Sequence, residues 1–154
     1  MSNTPEFLQK LRSTSLFREF TNDELQSCLD LMDPQQANAG DCIVRQDEPG
    51  DAMYLLVEGT ARVLHQQDGH KVELAGLRPG DFFGEIALVD QGPRSADVEA
   101  ITDCTLFRIT QATISALAGV YPTAAFKFLI AVGRILVERM RLSNRRYIDS
   151  LLVR

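Results

Sequence analysis

The sequence predicts an α+β fold: an antiparallel β-roll, a jelly-roll-like barrel that is closed or nearly closed, with helices before it and a long helix after it. Three observations predict this. Apolar residues near the start recur at helical spacing, the middle alternates apolar and polar residues between frequent glycine and proline turns, and helical spacing returns after Pro122. With 154 residues, 45% of them hydrophobic, the chain holds one ordinary core. A single domain over 1–154 is therefore expected, with N-terminal helices in 1–35, the roll in 40–110 and C-terminal helices in 111–154.

Residues 4–32 carry two short helical patterns, Phe7, Leu8 and Leu11 in the first and Leu25, Cys28, Leu29 and Met32 in the second. Thr21 starts the second, and Asp23 and Glu24 meet the positive end of its dipole. From residue 41 the period shortens: Met53, Leu55 and Val57 alternate with Tyr54, Leu56 and Glu58. Asp68-Gly69 sits between two such runs and favours the positive φ angles of a tight hairpin. A second hairpin is expected over Ala96–Thr110, turning near Thr102-Asp103. Many short strands with helical caps then suggest the barrel. After Pro122, the residues Phe126, Ile130, Gly133, Val137, Met140, Asn144, Tyr147 and Leu151 recur at alternating steps of four and three. Such a stripe can pack on the barrel or pair with its copy in a second chain.

Composition excludes several function classes. The net charge of -5 gives no reason to expect a polyanionic partner. The stretch from residue 127 is basic, but a solvated helix face accounts for that at least as well as nucleic-acid contact. The longest apolar run, near Phe126–Val137, is interrupted by Lys127, Gly133 and Arg134, so no membrane span is expected. The start lacks a secretory pattern, and a cytoplasmic location is the expectation. Cys28, Cys42 and Cys104 have no paired spacing and suit reduced, buried thiols. His65 and His70 flank the first hairpin turn without a nucleophile motif or metal-ligand spacing. They are expected to face solvent, and no enzyme activity, metal or cofactor is expected.

The informative segment runs from Gly80 to Ala96. Gly84 leads into Glu85-Ile86-Ala87-Leu88, a helix start whose unpaired amides favour an anion. Arg94 follows nine positions after Glu85 with a planar fork suited to phosphate oxygens, and then comes the hydroxyl of Ser95. Together these make one anion pocket. A carboxylate there weakens anion binding unless it accepts a hydrogen bond from a sugar hydroxyl. The same residues also admit a plainer arrangement, in which Glu85 caps the helix and pairs with Arg94, and on the residues alone the two readings stand level.

The string Phe83-Gly84-Glu85-Ile86-Ala87-Leu88, followed after four residues by Pro93-Arg94-Ser95-Ala96 and Val98, resembles the phosphate-binding cassette of the cyclic nucleotide-binding domain family. Within that family the likeness is to the catabolite activator protein and the regulatory subunits of cyclic-AMP-dependent protein kinase. It extends to the entry helices at Leu16-Phe17 and Phe20 to Leu25, and to the first strands and glycine turns from Gly40 to Gly59, covering about residues 11–145 with the cassette at 80–96. The resemblance implies that Glu85 and the backbone near Gly84 hold the ribose 2'-hydroxyl. Arg94, the amides of Ile86 and Ala87, and Ser95 would hold the cyclic phosphate. Val63, Leu74 and Leu77 stand where the base would lie, and Ser143 and Asn144, with Arg139 as a further candidate, stand where a C-terminal helix reads it.

The expected function is that of a cyclic mononucleotide sensor, with cyclic AMP favoured and cyclic GMP the alternative, signalling through its C-terminal helix to an effector protein or a dimer mate. The alternative is an interaction module of the same fold that binds cyclic GMP, a cyclic dinucleotide or no nucleotide. DNA binding by this chain alone is not expected, because too few residues follow the long helix to build a helix-turn-helix reader.

Overall fold

The computed structural model describes residues 4–152. Helix α1 (Pro5–Arg12) and helix α2 (Asn22–Leu31) open the chain. Thr21 caps α2 in a reciprocal box, its hydroxyl accepting from the Glu24 amide at 3.2 Å while the Glu24 carboxylate accepts from the Thr21 amide at 2.9 Å. Eight strands follow: β1 (Asp33–Ala37), β2 (Cys42–Val44), β3 (Ala52–Glu58), β4 (Ala61–Gln67), β5 (His70–Leu77), β6 (Phe82–Phe83), β7 (Asp97–Ala100) and β8 (Cys104–Thr110). A one-turn helix α3 (Ile86–Val89) lies between β6 and β7, and α4 (Gln111–Val120) and α5 (Pro122–Leu152) close the chain.

The strands form two antiparallel sheets, ordered β1-β8-β3-β6 and β2-β7-β4-β5, so the roll is not the closed barrel that the strand count suggests. The β4–β5 hairpin turns at Asp68 and Gly69 with φ of 52° and 78°, as expected. The second expected hairpin is absent: β7 pairs with β2 and β4, whereas β8 pairs with β1 and β3. Residues 101–103 instead carry the chain from one sheet to the other. They do so beside Gly59, at φ 88°, where the chain also crosses between β3 and β4. A Cβ at Gly59 would collide with the Asp103 carbonyl, so this double crossing needs glycine.

Strand β3 is covered on both faces, which is why its alternation is imperfect. Met53, Leu55 and Val57 join the larger core with Leu16, Phe17, Phe20, Leu25 and Phe128. Leu56 joins a smaller core between the sheets with Phe83, Val98 and Leu106. Phe17 meets Phe20 edge-on at 5.1 Å and Phe128 at 6.3 Å, so the entry helices and α5 share one aromatic cluster.

Pro122 opens α5, where its missing amide costs nothing. The packed face of α5 is Ala124, Ala125, Phe128 and Val132, so of the two uses open to the four-three stripe, packing on the barrel is not the one seen. Apart from half-buried Gly133 that stripe is exposed, with Phe126 66% and Met140 58% exposed. Small residues at 124 and 125 suit close packing of α5 against helices α2 and α4.

Ion pairs fasten the first half of α5. Lys127 Nζ donates to Glu24 Oε1 at 2.8 Å and to the Glu19 carbonyl at 3.1 Å, and Arg134 reaches Glu19 at 3.1 Å. The Lys127 bond, with the Thr21 amide, holds the Glu24 carboxyl below its ordinary 4.5. A lowered carboxylate contributes stability that is complete above its unfolded value and is lost as pH falls through its folded value. Lys127→Met is therefore expected to destabilise by about 2 kcal/mol at neutral pH and by progressively less as pH falls below 4.5, as urea unfolding at a series of pH values will show.

Candidate functional site

The cassette occupies the stretch between β6 and β7. Gly84 leaves β6 with φ 76°, and α3 begins two residues later, its Ala87 and Leu88 buried while Ile86 is 64% exposed. Buried Ala87 and Leu88 pin the helix to the roll, and the Gln111 side chain donates to the Leu88 carbonyl. Gly84, Glu85, Ile86, Ala87, Arg94 and Ser95, the six residues assigned from sequence to the phosphate and ribose, line one cavity of about 120 Å³ together with Asp90, Gly92 and Pro93.

The return strand of the cassette is fixed by backbone hydrogen bonds. The Arg94 amide donates to the Glu48 carbonyl and the Asp47 amide to the Arg94 carbonyl, both at 2.8 Å, and Gly50 donates to Gly92 at 3.2 Å. The guanidinium of Arg94 is less committed: Nη1 reaches the Gly84 carbonyl at 3.4 Å, and Cζ stands 6.0 Å from the Tyr54 ring. Tyr54 in turn stacks on Phe83 at 5.4 Å. Among the described residues, Arg94 forms no ion pair with a carboxylate. A half-buried cation on a cavity wall without a counter-ion is electrostatically suited to an incoming anion.

Glu85 is placed differently from the plainer sequence reading. It makes no cap hydrogen bond and no pair with Arg94. Its Oε1, on a side chain 15% exposed, pairs instead with Arg139 Nη1 at 3.5 Å. Arg139 also donates to the Phe82 carbonyl at 3.3 Å and lies 4.5 Å above the Phe82 ring. The second half of α5 is thus joined to the cassette through a group that could equally accept from a sugar hydroxyl.

The residues assigned to the base are not gathered in the same way. Val63 and Leu77 pack against the smaller core, and Leu74 is 59% exposed on β5. Ser143 and Asn144 are exposed on α5 and do not line the cavity. His65, expected to face solvent, is half-buried and has Nδ1 at 3.2 Å from the Ser95 carbonyl, because β4 runs beside the start of β7, whereas His70 is exposed as expected. Cys28 and Cys104 are buried and Cys42 half-buried, all as free thiols, and burial pushes Cys28 up to about 12. Sequence reasoning missed Gly50, Tyr54 and Asp97, because contacts between strands far apart in the chain have no local spacing.

Comparison with known proteins gives the same site a context. A family model described as cyclic nucleotide-binding domain matches residues 34–120. The chain is 38% identical over 100 residues to a cAMP-dependent protein kinase regulatory subunit of Dictyostelium discoideum, covering 62% of this chain and 30% of that protein. It is 34% identical over 102 residues to the cGMP-dependent protein kinase egl-4 of Caenorhabditis briggsae, covering 65% and 14%. The chain therefore spans less than a third of either relative. Among solved structures it superposes on the Thermus thermophilus catabolite activator protein with a TM-score of 0.78 and 29% identity, over 90% of this chain and 63% of that one. The N-terminal domain of a transcriptional regulator from Streptomyces coelicolor A3(2) matches at a TM-score of 0.72 and 28% identity, over 88% and 92%. Among the described residues, no helix is long and apolar enough to cross a membrane. With the glycine turns, the cassette and the roll all inside the matched span, this chain belongs to the cyclic nucleotide-binding domain family.

Proposed function

We propose that this domain is a non-enzymatic receptor for a cyclic mononucleotide, with cyclic AMP favoured over cyclic GMP, and that α5 reports its occupancy. The observation that carries the reading is Arg94: a cation with no carboxylate partner among the described residues, on a cavity wall that also presents Glu85 and the helix-start residues Ile86 and Ala87. The cyclic phosphate would pair with Arg94, Ser95 and the amides, while the ribose 2'-hydroxyl would donate to Glu85. The base would lie on β4 and β5 beside Val63, Leu74 and Leu77, with Ser143 and Asn144 able to read an adenine edge if α5 closes over it. These assignments would make residues 1–154 one functional unit.

Coupling follows from Glu85. A ribose that takes the carboxylate competes with Arg139, so a ligand binds one arrangement of α5 more tightly than the other, which is the condition for signalling. Isothermal titration with cyclic AMP, cyclic GMP and cyclic di-GMP tests the reading. Micromolar or tighter binding of cyclic AMP is expected, and no heat with any of the three would leave the interaction-module alternative.

The exposed stripe of α5 supports a second copy of this chain as one recipient of the signal. A Cβ at Gly133 meets nothing within 4 Å, so no close contact among the described residues accounts for a glycine in mid-helix. On a helix seam, glycine allows close approach of a second helix. Sedimentation is expected to show a dimer that Ile130→Asp with Val137→Asp converts to monomer. A wild-type chain that is monomeric at high micromolar concentration, with and without nucleotide, would instead leave an effector protein as the recipient.

A further inference from the structure

Behind the phosphate end of the cavity lies a buried carboxylate that the reading above does not use. Asp97, its side chain 6% exposed, begins β7 two residues after Ser95. Its Oδ1 accepts from the Gln46 amide at 2.6 Å, and its Oδ2 accepts from Gln66 Nε2 at 2.7 Å, with Lys71 Nζ at 3.7 Å. Gln46 and Gln66 are themselves joined twice, the Gln46 side-chain amide bonding the Gln66 backbone at 3.0 and 2.8 Å. The Gln46 amide, ahead of the Gln66 bond, holds the Asp97 carboxyl below its ordinary range.

What Asp97 holds is the 45–48 loop. That loop turns through Asp47 at φ 69°, a left-handed conformation that costs a non-glycine residue free energy and persists only when its surroundings fix it. Asp47 and Glu48 make the two backbone bonds that flank the Arg94 side chain, Asp47 donating to the Arg94 carbonyl and Glu48 accepting from the Arg94 amide. The carboxylate, the Gln46 amide, the loop and the Arg94 backbone form one continuous path.

We propose that Asp97 is a positioning residue for the phosphate site, setting the reach of the Arg94 guanidinium through the 45–48 loop. The proposal rests on the cyclic-nucleotide reading for its ligand, but the path itself is present without one. Asp97 touches no ligand atom in this scheme, so its loss is expected to blur the placement of Arg94 rather than remove a contact.

The test compares wild type, Asp97→Ala and Asp97→Asn for affinity toward cyclic AMP and its two phosphorothioate diastereomers, in which sulfur replaces one or the other exocyclic oxygen. Asp97→Ala is expected to weaken cyclic AMP binding about tenfold and to cut the preference between diastereomers. Asp97→Asn, which keeps an acceptor for the Gln46 amide, recovers most of both. A change in overall stability alone would scale both diastereomers together. Hydrogen exchange supplies the ligand-free arm: the Arg94 and Asp47 amides are expected to exchange faster in Asp97→Ala while Leu106 and Phe107 in β8 do not. If Asp97→Ala does not fold, Gln66→Met removes one donor at an exposed position and carries the same comparison with a smaller loss. Unchanged diastereomer preference, or unchanged exchange at Arg94 and Asp47, overturns the proposal. A wild-type chain that binds none of the nucleotides overturns the cyclic-nucleotide reading instead, and hydrogen exchange still decides whether Asp97 fixes the 45–48 loop.

Discussion

Arg94→Ala is expected to weaken cyclic-nucleotide binding severely while leaving the fold intact. Removing one partner of a desolvated charge pair costs about 2–5 kcal/mol of binding, and each 1.4 kcal/mol is about tenfold, so the loss should be at least about thirtyfold. The fold should tolerate the change because Arg94 is held by its backbone. Its amide and carbonyl bond Glu48 and Asp47 at 2.8 Å, whereas its guanidinium makes one long contact to Gly84 at 3.4 Å. Thermal unfolding separates the two effects. At a ligand concentration of 100 Kd the wild type gains about 2.7 kcal/mol, which for a domain of this size is a rise of roughly 5–10 °C. At that concentration a thirtyfold loss leaves about 0.9 kcal/mol of stabilisation, so Arg94→Ala should start within about 2 °C of the wild-type midpoint and rise by no more than about 3 °C. A variant that still shifts as far as the wild type would remove Arg94 from the phosphate site.

The residues around that arginine show which parts of such a site can be read from a sequence. The cassette was legible because its chemistry is local: a glycine at positive φ, a helix start, and an arginine with its hydroxyl neighbour all lie within 84–95. The Asp68-Gly69 hairpin and the Thr21 cap were legible for the same reason. Sheet assignment was not. The chain from Ala96 to Thr110 has the pattern of a hairpin, yet it crosses between sheets because Gly59 opens a passage beside Asp103, more than 40 positions away in sequence. Period also failed to identify the packed face of α5, since alanines at 124 and 125 bury more completely than the larger stripe residues beside them. Glu85 is the instructive case within the site. Its position in the cassette was evident, but its partner is Arg139, 54 residues further on and on a different element.

Gly50→Ala is expected to weaken nucleotide binding by about tenfold or more with little loss of stability, and it probes a different property of Arg94: its place rather than its presence. A Cβ built on Gly50 would collide with Nε and Cζ of Arg94 and stand 2.8 Å from Nη2. The colliding group is the end of a flexible side chain, so the guanidinium can swing away and the backbone need not move. Gly50 is also outside the left-handed region, so alanine brings no backbone strain there. Gly84 is a poorer test: its Cβ would stand 2.5 Å from Arg94 Nη1, but its φ of 76° and the Ala52 carbonyl at 3.1 Å would add strain. In Gly50→Ala the charge, the loop and the cassette remain, and only the placement of the guanidinium changes. Binding of a cyclic phosphate depends on that placement, because a bidentate fork loses most of its advantage once its two donors no longer face the same pair of oxygens. Titration against cyclic AMP, with urea unfolding as the control for stability, distinguishes the outcomes. Weakened binding at unchanged stability would mean that Gly50 holds space for the arginine, whereas unchanged binding would mean that the nucleotide takes Arg94 in another position.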